Sequence, residues 1–302
     1  MPSTSREASI AEILGPSKAI TGPERTRNGP ALLWRLQRIR NGERREVDDP
    51  VILEEPLEIV LNGQPIAVLM RMPGDEKELA AGFCLSEGYV RDARDILLIH
   101  HCGRGQPAPT AEGEEAFDSR NRVTLRVVPE GVLRPSGADV VRLIRSACGA
   151  AEVTALANEL PTVDGSLSVQ SSTLLGLGHA MRERQTIHRQ VGGTHAAALF
   201  RADGRMVAIA EDIGRHNAVD KVIGHCLLRG IDLAQVVMVT SGRASYEMAA
   251  KAIRVRIPLI ASVSAPTALA VQLAQDRGLT LIGYLRGGSM NVYTHPQRVV
   301  GA

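Results

Sequence analysis

Aromatic side chains are scarce in this chain: 3% of 302 residues, with one Trp, four Tyr and three Phe. The interior therefore has to be built from aliphatic groups, and a hydrophobic content of 44% is enough for one. Cysteine is scarce too. Cys84, Cys102, Cys148 and Cys226 form no CxxC pair, which argues against a disulfide framework or a zinc knuckle and leaves free thiols. An excess of one charge is missing: 35 Lys and Arg against 33 Asp and Glu give a net charge of +2, so wholesale nucleic-acid binding has no electrostatic basis and any anion site must be local. No apolar run reaches the roughly 18 residues a membrane helix needs, and the first residues lack the basic-then-apolar order of a secretory signal, so the expectation is a cytoplasmic chain with no membrane contact. GxxxxGK[ST] and GxGxxG are also absent, which removes an ordinary P-loop and a Rossmann dinucleotide site.

The length favours two domains over one. Residues 1–45 mix Pro, Gly, Ser and charge without periodicity and read as a flexible leader. Residues 46–150 read as a smaller α/β domain. It opens on VILEEPLEIVLNGQPIAVLMR, whose Asn62-Gly63 predicts a hairpin. Asp75 and Glu78 then form a capping-box pattern ahead of a helix that contains Cys84. NRVTLRVVPE alternates as a strand, and Val140, Leu143, Ile144 and Ala147 make a helical stripe that runs out at Cys148-Gly149. A thiol at a helix carboxyl end gains nothing from the dipole, so activation of Cys148 would have to come from neighbours such as Arg142 and Arg145 or from a partner.

Residues 151–302 read as a second α/β domain. GGTHAAALF and RMVAIAE predict strands across Asp203-Gly204, and Val219, Val222, Ile223, Cys226 and Leu227 share one helical face. Strands and helices then alternate through VVMVT, ASYEMAAKAIR, PLIASV, TALAVQLAQ and LTLIGYL, predicting a mostly parallel sheet covered on both faces. In such a sheet ligands collect beyond the carboxyl ends of the strands. The segments there are rich in Gly, Ser and Arg: Gly214, Arg215, His216 and Asn217; Ser241, Gly242 and Arg243; Ser264 and Thr267; then Arg286, Gly287, Gly288 and Ser289. Glycines admit a close ligand, helix starts offer free N–H groups, and arginines grip phosphate by two prongs, so the set points to a phosphate or pyrophosphate cradle. His195 and His216 read first as hydrogen-bonded structural histidines, and Cys84 and Cys226 as packed core thiols.

GGTHAAALF, EDIGRHNAVDKVIG, TSGRASYEM, SAPTALA and YLRGGSMNVYT, with EEPLEI, VLMRMPGDEKELAAGFCLSEG and the SxCG at Ser146, resemble the FdhD family of formate dehydrogenase accessory sulfurtransferases from about Ile52 to His295. The resemblance implies a cytidine-deaminase-like second domain, a cytoplasmic homodimer, and formate dehydrogenase and a cysteine desulfurase as partners. It also implies a reaction in which Cys148 takes up persulfide sulfur and passes it to the bis-molybdopterin guanine dinucleotide form of the molybdenum cofactor. The family's cofactor-binding stretch falls on Tyr284, Leu285, Arg286, Gly287, Gly288 and Ser289. No catalytic metal is expected, because His195 is followed by Ala196-Ala197 and no P-C-x-x-C accompanies Cys148, unlike the zinc deaminases. Where the family has CGxCG this chain has Cys148-Gly149-Ala150-Ala151. Transfer needs only one nucleophile, so a sulfurtransferase remains the first reading; a cofactor-binding chaperone without sulfur transfer is the alternative, and a role for Cys102 as second thiol is left open.

Overall fold

The computed structural model of the chain describes residues 30–102, 119–131 and 160–301. The helical stripe expected at 138–147, and Cys148 after it, lie outside the described residues.

The first element corrects the last part of the expected leader, whose residues 1–29 lie outside the described residues. Residues from Ala31 onward form an antiparallel hairpin, β1 (Ala31–Arg40) and β2 (Glu43–Ile52), closed at Asn41-Gly42, where φ is +52° and +84°. This is the same Asn-Gly turn that joins β3 (Glu55–Leu61) to β4 (Gln64–Arg71). The basic run is held by acids on the opposite strand: Arg35 donates to Asp48 at 3.0 Å and Arg38 pairs with Asp49 at 2.5 Å. Cross-strand charge pairs took the place of the apolar alternation that normally marks a strand.

β3 and β4 belong to a four-stranded sheet of order β4-β3-β6-β5, with β5 at Ile96–His101 and β6 at Arg122–Val127. One face packs on helix α1 (Glu76–Ser86) around Leu57, Ile59, Leu79, Phe83, Val123 and Leu125. The expected capping box at the start of α1 is absent. Asp75 stands at the N-cap with φ +57°, a left-handed conformation in which its side chain caps nothing, and Glu76 accepts the Gly74 N–H at 2.7 Å instead.

The second unit is a six-stranded sheet of order β13-β12-β11-β10-β8-β9. Its strands are β8 (His195–Phe200), β9 (Met206–Asp212), β10 (Val237–Thr240), β11 (Leu259–Ser262), β12 (Thr280–Arg286) and β13 (Ser289–Val292). The expectation of a mostly parallel sheet is corrected to a mixed one. Only the β10/β11 and β11/β12 pairs are parallel, while β8/β9, β10/β8 and β12/β13 are antiparallel. Tight turns at Asp203-Gly204 and Gly287-Gly288 force their strands antiparallel, because a parallel return needs a crossover of a dozen residues or so.

Both faces of this sheet are covered. Helices α4 (Arg215–Leu228), α5 (Tyr246–Arg254) and α6 (Ala268–Arg277) lie over one, where Val219, Val222, Ile223 and Cys226 pack on Leu199, Met238, Ile260 and Leu281. Helix α2 (Ser171–Arg184) lies over the other, with Leu174, Leu177 and Met181 against Phe200, Val239 and Ile282; the short α3 (Thr186–Val191) follows it. The chain closes on a parallel pair, β7 (Val169–Gln170) with β14 (Val299–Val300).

The two units meet where α1 crosses α4 at backbone contact. A Cβ on Gly82 would stand 1.8 Å from the Asp220 carbonyl oxygen, and one on Gly224 1.8 Å from that of Glu78. Beside the crossing, Lys251 Nζ is buried between Asp220 at 2.9 Å, Glu87 at 2.7 Å and Ser86 Oγ at 2.8 Å.

Candidate functional site

β8 runs opposite to both its neighbours, so β9 points the same way as β10, β11 and β12. The carboxyl ends of all four strands therefore come out along one rim, together with the starts of α4, α5 and α6 and with His195, the first residue of β8. Backbone bonds knit the rim. Ser241 N–H donates to Ala196 O at 2.9 Å, Ala244 N–H to Ala265 O at 3.2 Å, Thr267 N–H to Ala244 O at 3.0 Å and Tyr284 N–H to Ser264 O at 3.0 Å. The four segments singled out in the sequence are thus brought together.

Several of the sequence-predicted side chains are committed to building that rim. Asn217 donates to Asp212 Oδ1 at 2.9 Å and to Met70 O at 2.8 Å, tying α4 to the first unit. Gly214 N–H also donates to Asp212 Oδ1, at 3.0 Å, while Asp212 Oδ2 lies 2.8 Å from buried Lys221. Ser241 Oγ accepts the Ala196 N–H at 2.9 Å, and Thr267 caps α6 by accepting from Ala270 N–H at 3.3 Å. Ser264 takes part through its backbone, its N–H donating to Ser262 Oγ at 2.9 Å. The Leu285 side chain is buried in the core under α2.

What faces outward is cationic and glycine-lined. Arg243, Arg286, Gly287, Gly288 and Ser289 are exposed, and Tyr284 is exposed with the Arg286 guanidinium 5.5 Å from its ring centre. Tyr284 has φ +54°, a conformation that costs a non-glycine residue about 1 kcal/mol or more and collects at functional positions. Gly242 lies close against Arg215 and His195: a Cβ there would come within 3.3 Å of the Arg215 side chain and 3.6 Å of His195 Nδ1.

Arg215 is the central cation. Its Nε is buried with no hydrogen-bond partner among the described residues, and its Nη2 lies 4.0 Å from Glu247. A buried donor left unmet is costly unless something supplies an acceptor. His216 Nε2 lies 2.8 Å from the same Glu247 carboxylate, which its ring holds below the usual carboxylate range despite partial burial. Burial, then the charges of Arg215, His188 and His216, lower the pKa of His195, so its imidazole is neutral at neutral pH, with Nδ1 3.4 Å from Ser241 Oγ. Glu247 was legible only as one residue of a helix, since nothing local announces its contact with α4.

Of the described cysteines, Cys84 and Cys226 are buried and Cys102 is exposed just beyond β5. Burial raises the Cys84 pKa far above the ordinary thiol value, with Asp220 adding to it, and pushes Cys226 up to about 11. Neither is a nucleophile at neutral pH. No group of three or more His, Cys, Asp or Glu that could hold a metal ion occurs among the described residues. No helix among them is long and apolar enough to cross a membrane. A cleft of about 590 Å³ between the two units, lined by Arg71, Asp75, His101, Arg120, Glu211 and Lys221 among others, was not foreseen from sequence.

Residues 52–300 match the family model described as FdhD/NarQ family. Among curated relatives, the sulfur carrier protein FdhD of Streptomyces avermitilis is 42% identical over 274 residues, covering 87% of this chain and 93% of that protein. The sulfur carrier protein FdhD of Mycobacterium tuberculosis is 42% identical over 259 residues, covering 83% and 92%. That of Sulfolobus acidocaldarius is 34% identical over 266 residues, covering 88% and 97%. The crystal structure of a candidate formate dehydrogenase accessory protein from Desulfotalea psychrophila superposes with a TM-score of 0.71 at 26% identity, covering 90% of this chain and all of that one.

Proposed function

Because the chain belongs to the FdhD/NarQ family, we propose that it is a sulfur carrier and sulfurtransferase serving formate dehydrogenase, with Cys148 as the sulfur-bearing residue and the Arg215 rim as the seat of the molybdenum cofactor. In the first step the Cys148 thiolate attacks the outer sulfur of a cysteine desulfurase persulfide. A new S–S bond forms on Cys148, the donor's S–S bond breaks, and the donor cysteine leaves as thiolate, so the sulfur moves without an external oxidant or reductant. The carried sulfur then passes to the bis-molybdopterin guanine dinucleotide cofactor, which is cargo here and not a resident group: the S–S bond on Cys148 breaks, Cys148 is left as thiolate, and the two electrons that bring the sulfur to the sulfide level come from a dithiol reductant.

The observation that carries the cofactor half of this reading is the unmet Arg215 Nε, at the start of α4 beside Gly242 and the first turn of α5, on the rim that the start of α6 also joins. A pyrophosphate supplies the acceptor that Arg215 lacks and the negative charge that helix starts favour. Arg243 and Arg286 add charge, and the exposed Tyr284 ring offers a face for guanine. The strand order is consistent with a cytidine-deaminase-like second domain, and the same reading includes a cytoplasmic homodimer.

The deciding experiment mixes the full chain with a cysteine desulfurase and 34S-labelled cysteine and measures intact mass. One labelled sulfur is expected on the wild type and none on Cys148→Ala. Absence of label on the wild type overturns sulfur transfer. Ala151, standing where the family has a second cysteine, favours one alternative, a cofactor-binding chaperone. It requires nucleotide binding and formate dehydrogenase maturation that are both indifferent to Cys148→Ala.

A further inference from the structure

The second residue of α5 stands where a ligand anion belongs. Glu247 Oε2 is 2.8 Å from His216 Nε2 and 4.0 Å from Arg215 Nη2, so it faces the first two residues of α4 from the first turn of the neighbouring helix. Both helix starts favour negative charge at that point, and neither first turn of the pair contains another acid. The remaining charged group facing it is Glu87, just beyond α1, which repels it and is itself held by Lys251 at 2.7 Å.

We propose that Glu247 is a built-in competitor for the anion that the rim binds, an internal carboxylate whose negative charge, 4.0 Å from Arg215 Nη2 and 2.8 Å from His216 Nε2, already offsets part of the rim's attraction for phosphate while Arg215 Nε stays unmet. This rests on the reading of the rim as a diphosphate seat and deepens it. A phosphate drawn to Arg215 has to approach a carboxylate within a few ångströms, and like charges so placed are strongly unfavourable in a partly buried site. The carboxylate is not neutralised first: its contact with His216 and the nearby Arg215 hold its pKa below the ordinary carboxylate value. A carrier that must surrender its cargo gains from such a group: its repulsion of the bound phosphate makes dissociation faster.

The test titrates guanosine diphosphate into the full-length protein at neutral pH and low salt, following heat and dissociation rate. Glu247→Gln keeps the shape and removes the charge; it should bind about tenfold more tightly, mostly through slower dissociation. Glu247→Asp, which keeps the charge, should gain nothing, and Arg215→Ala should abolish binding in either background. Glu247→Ala takes the place of the glutamine variant should that fail to fold. Equal or weaker binding by the neutral variants, with the wild type still binding, overturns the competitor role and leaves the diphosphate seat standing. No binding by any of these proteins overturns both.

Discussion

Gly82 and Gly224 face each other across the contact between the two units, each pressed against the other helix's backbone so closely that a single methyl group would stand 1.8 Å from a carbonyl oxygen. Backbone cannot yield as a flexible side chain can, so the helices would have to move apart. Gly82→Ala and Gly224→Ala should each lower unfolding stability by about 3 kcal/mol or more, read from urea denaturation. The exposed Gly176 of α2, which has nothing within 4 Å of its missing Cβ, is the control. Gly176→Ala should stabilise by about 0.5–1 kcal/mol through backbone entropy alone.

The buried charges beside that crossing are mutually dependent. Burial raises the Asp220 pKa and the Lys251 charge opposes the rise, while Ser86 Oγ–H donates to the carboxylate at 2.6 Å. Lys251→Met strands the carboxylate and should cost about 3–5 kcal/mol. Adding Asp220→Leu should recover most of that loss, a coupling that a double-mutant cycle in urea measures directly.

Stability should fall on mild acidification. His195 and His225 both have pKa values lowered chiefly by burial, with nearby arginines adding to it. The unfolded chain therefore takes up protons at the ordinary imidazole value of 6.5 while the folded chain does not. Their contribution is complete above that pH and declines as pH falls through it, levelling off below the folded values. Thermal unfolding midpoints measured from pH 7.5 down to pH 5, endpoints about one unit above and one and a half below the ordinary imidazole value, should show this decline. A His195→Gln/His225→Gln variant should flatten it.

Thiol reactivity should follow burial. In the native protein Cys84 and Cys226 should resist an aromatic disulfide reagent, while Cys102 reacts, and denaturant should expose the buried pair. Mapping the modified residues by peptide mass checks this. Rapid native modification of Cys84 would contradict the packing of α1.

Tyr284 should trade stability for binding. Tyr284→Gly relieves the left-handed backbone and should raise stability by about 1 kcal/mol, yet weaken guanosine diphosphate binding through loss of the ring. Gly283→Ala places a methyl 2.8 Å from Pro266 Cδ and 3.1 Å from Tyr293 Cε2, and should weaken binding by distorting the rim.

Much of this architecture is legible in local pattern. Asn62-Gly63 marks β3/β4, and the α4 stripe of Val219, Val222, Ile223 and Cys226 is buried as its spacing requires. Asn41-Gly42 carried the same hairpin signal, but the strands beside it are held by Arg–Asp pairs instead of an apolar face, and their periodicity was hidden. The direction of β8 escaped because pairing of β8 with β10 is decided by tertiary packing. The rim loops were recognisable by composition. Which of their side chains are spent was not, because Asn217 reaches Met70 across 147 positions and Arg215 meets Glu247 from a different helix.

The reversal of β8 has a consequence for chemistry. A strand of six residues spans about 20 Å. Had β8 run with its neighbours, its leading imidazole would sit on the far side of the protein; antiparallel, it delivers His195 beside Ser241 and Gly242, an uncharged proton acceptor on the same rim as Arg215.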